Sequence, residues 1–142
     1  MELAEVSDLT PDKAADLLGN VKKSRHFNVH MGASIGSLHQ LIEALDVMSK
    51  DSFEHHINEH KNDFAKWIEH SVEDIVLAVD VKDLKNRDKI KKAIEERIAE
   101  LEKIRSKGKL ISAHEWMNYG VVDFVLGVLV GFLAGVIISV FV

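Results

Sequence analysis

Eight histidines occur among the 142 residues, and four of them lie within sixteen residues, namely His55, His56, His60 and His70. Neutral imidazole is the commonest protein ligand of transition metals and titrates near physiological pH. His56 and His60 are four residues apart, so an unbroken helix would place both rings on one side. Glu59 or Asp63 would then complete a ligand set for a divalent metal such as zinc. This spacing raises the hypothesis of a metal-binding or sensory module.

A structural interpretation of the same histidines stands beside the metal hypothesis. Residues 58–62 form a polar run that predicts a turn, which would separate His56 from His60. His56 would then pack in the core with one ring nitrogen hydrogen bonded, while the other histidines are solvated. Asp63, by capping the next helix and bonding to His56, would lock the turn, and such a cap contributes about 1 kcal/mol.

Several kinds of chemistry are excluded or unsupported by the sequence. The chain has no cysteine, which excludes disulfides, thiolate nucleophiles and cysteine-ligated metal sites. It contains no phosphate-binding glycine loop, and it contains no H-E-x-x-H motif, because no second histidine follows His114-Glu115 at the required spacing. The sequence therefore favours a non-enzymatic protein.

The elements that would position these side chains are predicted to be mainly helical. Capping residues followed by apolar residues at helical spacing indicate four or five short helices. The predicted N-caps are Thr10, Ser37, Ser49, and Asn62 or Asp63, and residues 74–81 are predicted as a further helix. Residues 25–30 alternate and are followed by Gly32, which predicts a small β-hairpin. The predicted fold class is a mainly α domain with a minor β-hairpin.

Charge divides the chain into an acidic part and a basic part. Residues 1–81 hold seven Lys or Arg and fifteen Asp or Glu, a net charge of −8, whereas residues 82–109 hold eleven and six, a net charge of +5. Apolar residues recur at helical spacing through the basic part, at Ile90, Ile94, Ile98, Leu101 and Ile104. Residues 82–109 are therefore predicted to form a basic amphipathic stalk helix that packs on its own domain or on a second copy. The interleaved acids argue against nucleic acid as a partner.

The last 23 residues, 120–142, have the composition of a membrane-spanning helix. From Phe124 onward nineteen residues carry no charge, and a helix of that length covers roughly 30 Å of hydrocarbon. Residues 110–119 precede it as an interfacial segment in which Trp116 and Tyr119 are suited to the headgroup region. Lysines and arginines just upstream predict a single-pass, tail-anchored protein whose N-terminal domain is cytoplasmic.

Small residues recur every four positions along this predicted span, at Gly127, Gly131, Gly135 and Ser139. Such a stripe lets two membrane helices approach closely and predicts a homo-oligomer within the lipid bilayer. Asp123 is the one ionisable residue of residues 120–142 and lies near the glycine face. It either reaches back to the interface or serves as an intramembrane polar contact, which raises the hypothesis of a small oligomeric conduit.

The middle of the chain, residues 25–80, carries a recognisable series of short motifs. They are Phe27 with Gly32, Ser37-Leu38 with Leu41, Phe53 with His56, Asn62-Asp63-Phe64, Trp67-Ile68, and Asp74 with Leu77-Ala78. This series resembles an uncharacterised prokaryotic family of small helical domains. The resemblance implies a compact, mainly helical module that occurs alone or fused to other domains, and it implies no activity. The predicted C-terminal membrane helix is outside the shared pattern.

Together these patterns predict a self-associating, tail-anchored scaffold or adaptor that presents a cytoplasmic helical domain to a protein partner. The predicted segments are a soluble domain (1–81), a stalk (82–109), an interfacial segment (110–119) and a transmembrane helix (120–142). Two alternatives remain open from the sequence, a membrane-tethered metal-binding or sensory module and an oligomeric membrane conduit.

Overall fold

The computed structural model describes residues 9–108, 124 and 128. In it the helices begin at the residues that the sequence predicts. Helix α1 is Pro11–Leu18, α2 is Leu38–Val47, α3 is Lys50–His56, α4 is Asp63–Trp67 and α5 is Ile75–Lys82. Their N-caps are Thr10, Ser37, Ser49, Asn62 and Asp74, and each cap side chain accepts a backbone N–H of the first turn. The predicted short helices, including the one over residues 74–81, are confirmed.

The predicted hairpin is also confirmed. Strand β1 (Phe27–Asn28) pairs antiparallel with β2 (Ser34–Ile35), and Phe27 lies opposite Ile35. A 3₁₀ turn, Lys23–Arg25, precedes β1. Phe27 and Ile35 are buried, so the hairpin contributes one apolar face to the core. The described chain is thus mainly helical with one small two-stranded sheet.

A sixth helix, α6, covers residues 87–108 and begins at Asn86, whose side chain accepts the Lys89 N–H. Its apolar stripe packs on the helical domain, since Ile90, Ile94 and Leu101 are fully buried. The polar side of the same helix contacts α2, where Lys91 Nζ lies 2.6 Å from Asp46 Oδ1. Of the two arrangements that the sequence leaves open, the structure has the basic helix packed on its own domain.

Helix α4 continues as one π-helical turn, Ile68–Val72, and the chain then reverses at Glu73 in a left-handed conformation (φ 67°). Arg25 holds this reversal, because its guanidinium donates to the His70 carbonyl and lies 2.8 Å from Glu73 Oε1. The Trp67 indole N–H donates in turn to the Arg25 carbonyl at 2.8 Å. The hydrogen bond from Arg25 lowers the pKa of Glu73. This contact joins the segment before the hairpin to the end of α4.

The chain divides into two compact units, Met1–Ser106 and Lys107–Val142. Among the described residues, no helix combines the length and apolar character needed to cross a bilayer. Phe124 and Val128 are helical and exposed. The other predicted positions of the C-terminal part lie outside the described residues: Trp116, Tyr119, Asp123, Gly127, Gly131, Gly135 and Ser139.

Candidate functional site

His56 occupies the last turn of α3 and is the most deeply buried polar ring of the described domain. Ser49 caps the helix, and the three-residue spacing from Phe53 to His56 turns both side chains toward the core. His56 is only 5% exposed, and its ring lies 4.7 Å from Phe27 and 5.4 Å from Phe64. An aromatic environment therefore surrounds a group that could carry a charge.

Both ring nitrogens of His56 have protein partners. The His30 backbone N–H donates to Nε2 at 2.9 Å, and Nδ1 lies 3.3 Å from Asp63 Oδ2. Because Nε2 must accept the His30 proton, the neutral ring carries its own proton on Nδ1 and donates it to Asp63. Lys61 Nζ contacts the same carboxylate oxygen at 2.8 Å. The arrangement fixes His56 as a neutral, structural imidazole.

Burial and hydrogen bonding set the titration of this pair. Burial, the largest influence, lowers the pKa of His56, although the hydrogen bond and charge of Asp63 act in the opposite direction. For Asp63, burial would raise the pKa, but the hydrogen bonds from Lys61 and His56 outweigh it and lower the pKa overall. At neutral pH the pair is therefore an imidazole beside a carboxylate.

The loop between the two strands is held from both sides at His30. While His56 accepts the His30 N–H, the buried Ser52 hydroxyl donates to the His30 carbonyl at 2.7 Å. Met31, the next residue, adopts a left-handed conformation (φ 55°), and its side chain is 91% exposed. A non-glycine residue in this conformation is strained and persists where its surroundings enforce it. The clamp on His30 thus presents Met31 to solvent.

The ring of His30 also contacts a second histidine. Its ring stacks on His55, with the ring centroids 3.9 Å apart and the planes inclined by 9°. His55 in turn meets the edge of His56 at 5.2 Å between centroids. His30, His55 and His56 therefore form one contiguous group, which the sequence did not predict because His30 is distant along the chain.

The four histidines of the metal hypothesis are not gathered into one metal site. His56 uses both nitrogens in hydrogen bonds within the protein, and the turn predicted over residues 58–62 separates it from His60. His60 and His70 lie instead at a shallow cleft beside α5. Within residues 9–108, 124 and 128, no three His, Asp or Glu side chains form a group able to hold a metal ion. The structural interpretation of His56 fits this geometry, with Asn62 rather than Asp63 as the helix cap.

The remaining predicted motif residues lie in the core around this site. Phe64 is fully buried between Phe27 and Phe53, with ring centroids 5.2 and 5.9 Å away, and Trp67 is buried beside Phe27. Asn62 accepts the Ala65 N–H and donates its side-chain amide to the Val81 carbonyl at 3.0 Å. Asn62 thereby joins the start of α4 to the end of α5.

A groove of about 650 Å³ lies beside the clamped loop, between the hairpin and α2. Its lining is mainly apolar, and the two most exposed large apolar side chains of the described residues lie along it, Met31 at 91% and Val47 at 86%. Large exposed apolar groups gathered at a concave surface are typical of a binding site. Methionine suits such surfaces because its side chain is flexible and polarisable.

Sequence reasoning found His56 and Asp63 but missed the loop that they position. The signal for a turn was present in Met31-Gly32, yet the left-handed residue is the methionine and not the glycine. Ser52 gave no signal at all, because a serine inside a helix is ordinarily solvated.

Comparison of the chain with protein-family models, with curated proteins and with solved structures gave no match. The site is therefore interpreted from its own geometry.

We expect the free energy of unfolding to decrease as the pH falls below 6.5, the ordinary pKa of histidine, because the pKa of His56 is lowered in the folded protein. The unfolded chain then takes up a proton more readily than the folded one, so this stabilisation is complete above pH 6.5 and is lost as the pH falls toward the folded value. Urea unfolding at several pH values would measure it. His56→Gln should flatten the dependence and the exposed His70→Gln should not; an unchanged slope in His56→Gln would contradict this assignment.

Proposed function

We propose that this chain is a membrane-anchored, self-associating scaffold or adaptor that presents the helical domain to a protein partner. The observation that carries the proposal is the uncharged run from Phe124 to the end of the sequence, with a net charge of +5 over residues 82–109 upstream. Such a run is long enough to span a bilayer, and the basic residues favour a cytoplasmic domain. The helical state of Phe124 and Val128, one turn apart, is in keeping with it.

The geometry around His56 supports a binding role for the helical domain. The ring nitrogens of His56 and the hydroxyl of Ser52 form hydrogen bonds that hold the His30 loop in place, so the role of these groups is structural. The loop that they hold lies beside an apolar groove, which is open to solvent and has Met31 and Val47 at its edge. A preformed concave apolar surface lowers the entropic cost of binding a partner. We also propose membership in the family of small helical domains that residues 25–80 resemble.

Self-association is assigned to the stripe of Gly127, Gly131, Gly135 and Ser139. We expect chemical cross-linking of the full chain in membranes to give dimers or larger forms, which Gly131→Ile reduces to background because a branched side chain keeps the helix backbones apart. Leu129→Ile is the matched control, since it changes a residue outside the stripe while conserving volume. Cross-linked products that are equally abundant with Gly131→Ile would remove the stripe from the proposal.

The orientation has its own test. In sealed inside-out vesicles a cytoplasmic domain faces the outside. We therefore expect protease added to such vesicles to digest the helical domain. A domain that stays protected until detergent is added would contradict the proposed cytoplasmic location.

A further inference from the structure

We infer that copies of this chain dock head to tail, with α5 of one copy lying in the groove beside Met31 and Val47 of the next. The inference rests on the self-association proposed above and adds a contact between the helical domains. It starts from two surfaces of the same domain that carry exposed apolar side chains, the groove and the outer face of α5. Within the described residues, no other part of the domain covers either surface.

The concave surface is the groove between the hairpin and α2. Val47 is 86% exposed at its edge, and Glu43 lies one turn earlier on the same helix. Glu43 is the single Asp, Glu, Lys or Arg in the groove lining, and no salt bridge to it occurs within the described residues. The groove thus offers an apolar surface with one negative charge that no described cation pairs, and an apolar segment carrying one positive charge would complement it.

The second surface is the exposed face of α5, which also lines one side of the cleft at which His60 and His70 lie. Ile75 is 55% exposed and Val79 is 65% exposed, although both are large aliphatic residues. They are followed by Lys82, so that the positions i, i+4 and i+7 of one helix face read aliphatic, aliphatic, positive. Lys82 is exposed and has no salt-bridge partner within the part of the chain that the structure describes.

The spacing of charge and apolar group matches between the two helices. Glu43 precedes Val47 by four residues and Lys82 follows Val79 by three, which at 1.5 Å per residue is about 6 Å and about 4.5 Å along the axes. If α5 of one copy lies antiparallel to α2 of another with Val79 against Val47, Lys82 comes within reach of Glu43. Antiparallel packing also sets the two helix dipoles in a favourable relation.

Pairing of like surfaces is less favourable. The head-to-tail contact brings the negative charge of Glu43 to the positive charge of Lys82. Neither twofold contact, groove on groove or α5 on α5, brings these two residues together. A contact between two different surfaces of the same protein generates a ring or an open array.

The absence of native cysteine permits a direct test by disulfide formation. Two differently tagged full chains, one carrying Val47→Cys and the other Val79→Cys, would be co-reconstituted in vesicles and oxidised. Disulfides form where Cα atoms come within about 7 Å. We expect mixed 47–79 dimers to exceed both like pairs and the control pair of Val47→Cys with Glu96→Cys, which lies on the exposed side of α6.

Charge reversal makes the test specific. Glu43→Lys in the Val47→Cys chain should reduce the mixed disulfide several-fold, and Lys82→Glu in the Val79→Cys chain should restore it. A predominance of 47–47 or 79–79 dimers, a mixed yield equal to the control pair, or a yield insensitive to both reversals would each overturn the inference.

The same experiment distinguishes this contact from the glycine stripe. If Gly131→Ile removes self-association while charge reversal leaves the mixed disulfide unchanged, the head-to-tail contact is wrong and the stripe stands. If Gly131→Ile has no effect and the charge swap behaves as expected, the stripe is wrong and the contact between domains stands.

Discussion

Replacement of Asp74 by alanine is expected to lower the free energy of unfolding by roughly 3–5 kcal/mol, because the Arg97 side chain, only 10% exposed, loses its buried counter-ion and keeps only the exposed Glu100 as a partner. Asp74 is 2% exposed and accepts three hydrogen bonds, from the Leu77 N–H at 3.1 Å, from Arg97 Nε at 2.8 Å and from Arg97 Nη2 at 3.1 Å. It is at once the N-cap of α5 and the anchor of α6. Urea unfolding followed by Trp67 fluorescence, in a Trp116→Phe background, would measure the loss.

Two further variants identify the cause of that loss. Burial lowers the pKa of Arg97, but the hydrogen bonds and charges of Asp74 and Glu100 outweigh it and raise the pKa above its usual value. Arginine is effectively always protonated in proteins, so Arg97 stays charged when Asp74 is removed. Asp74→Asn keeps the cap, and adding Arg97→Met to it should recover part of the lost stability by removing the stranded charge. The exposed Asp80→Ala on the same helix should have little effect. Equal losses in Asp74→Asn and in the double variant would contradict the role of the charge.

Replacement of Phe64 by alanine is expected to cost about 4 kcal/mol, since it opens a cavity at the centre of the core. Phe64 is fully buried and contacts the rings of Phe27, Phe53 and His56. These three residues come from the hairpin and α3, so one substitution loosens the elements that hold the Met31 loop. The same urea experiment would measure the change, and near-ultraviolet circular dichroism would report the loss of fixed aromatic packing.

Phe64→Leu is the matched variant, because its branched apolar side chain fills part of the volume of the ring. Its cost should be less than half of that of Phe64→Ala, as expected when cavity volume determines the loss. A cost below about 1 kcal/mol for Phe64→Ala would mean that the core collapses around the missing ring, against the close packing expected of a protein interior.

The helical framework could be predicted because its signals are local. Ser37, Ser49 and Asn62 each act as an N-cap where a polar residue precedes an apolar stripe, and each cap bond spans only three residues. The fully buried Leu41 and Leu45 of α2 were likewise visible as helical spacing. Capping and periodicity depend on neighbours along the chain, which a sequence displays directly.

The candidate site could be predicted only in part because its decisive contacts are distant in sequence. The bond from His30 to His56 joins residues 26 positions apart, and the ion pair of Asp74 with Arg97 spans 23. The periodicity of apolar residues along the sequence does not indicate which residues pair in either contact. The sequence spacing of His56 and His60 suggested a metal pair, but the turn between them directs the two rings to different parts of the domain.

The resemblance over residues 25–80 gains a physical meaning from the structure. Most of its positions are buried, including Phe27, Leu41, Phe53, Phe64 and Trp67, and its polar positions Ser37, Asn62 and Asp74 are helix caps. The pattern therefore describes what the fold requires. The groove residues Met31 and Val47 lie outside it, so a family pattern of this kind would not by itself reveal the proposed binding surface.

Extraction of the full chain from membranes with alkaline carbonate, followed by flotation of the vesicles, tests the central claim most directly. We predict that the chain stays with the floating membranes, and that a variant with Leu129→Arg and Leu133→Arg is released, since each arginine at mid-span costs about 2.5–3.5 kcal/mol of insertion free energy. Recovery of the unaltered chain in the soluble fraction would contradict the membrane anchor and the scaffold built upon it.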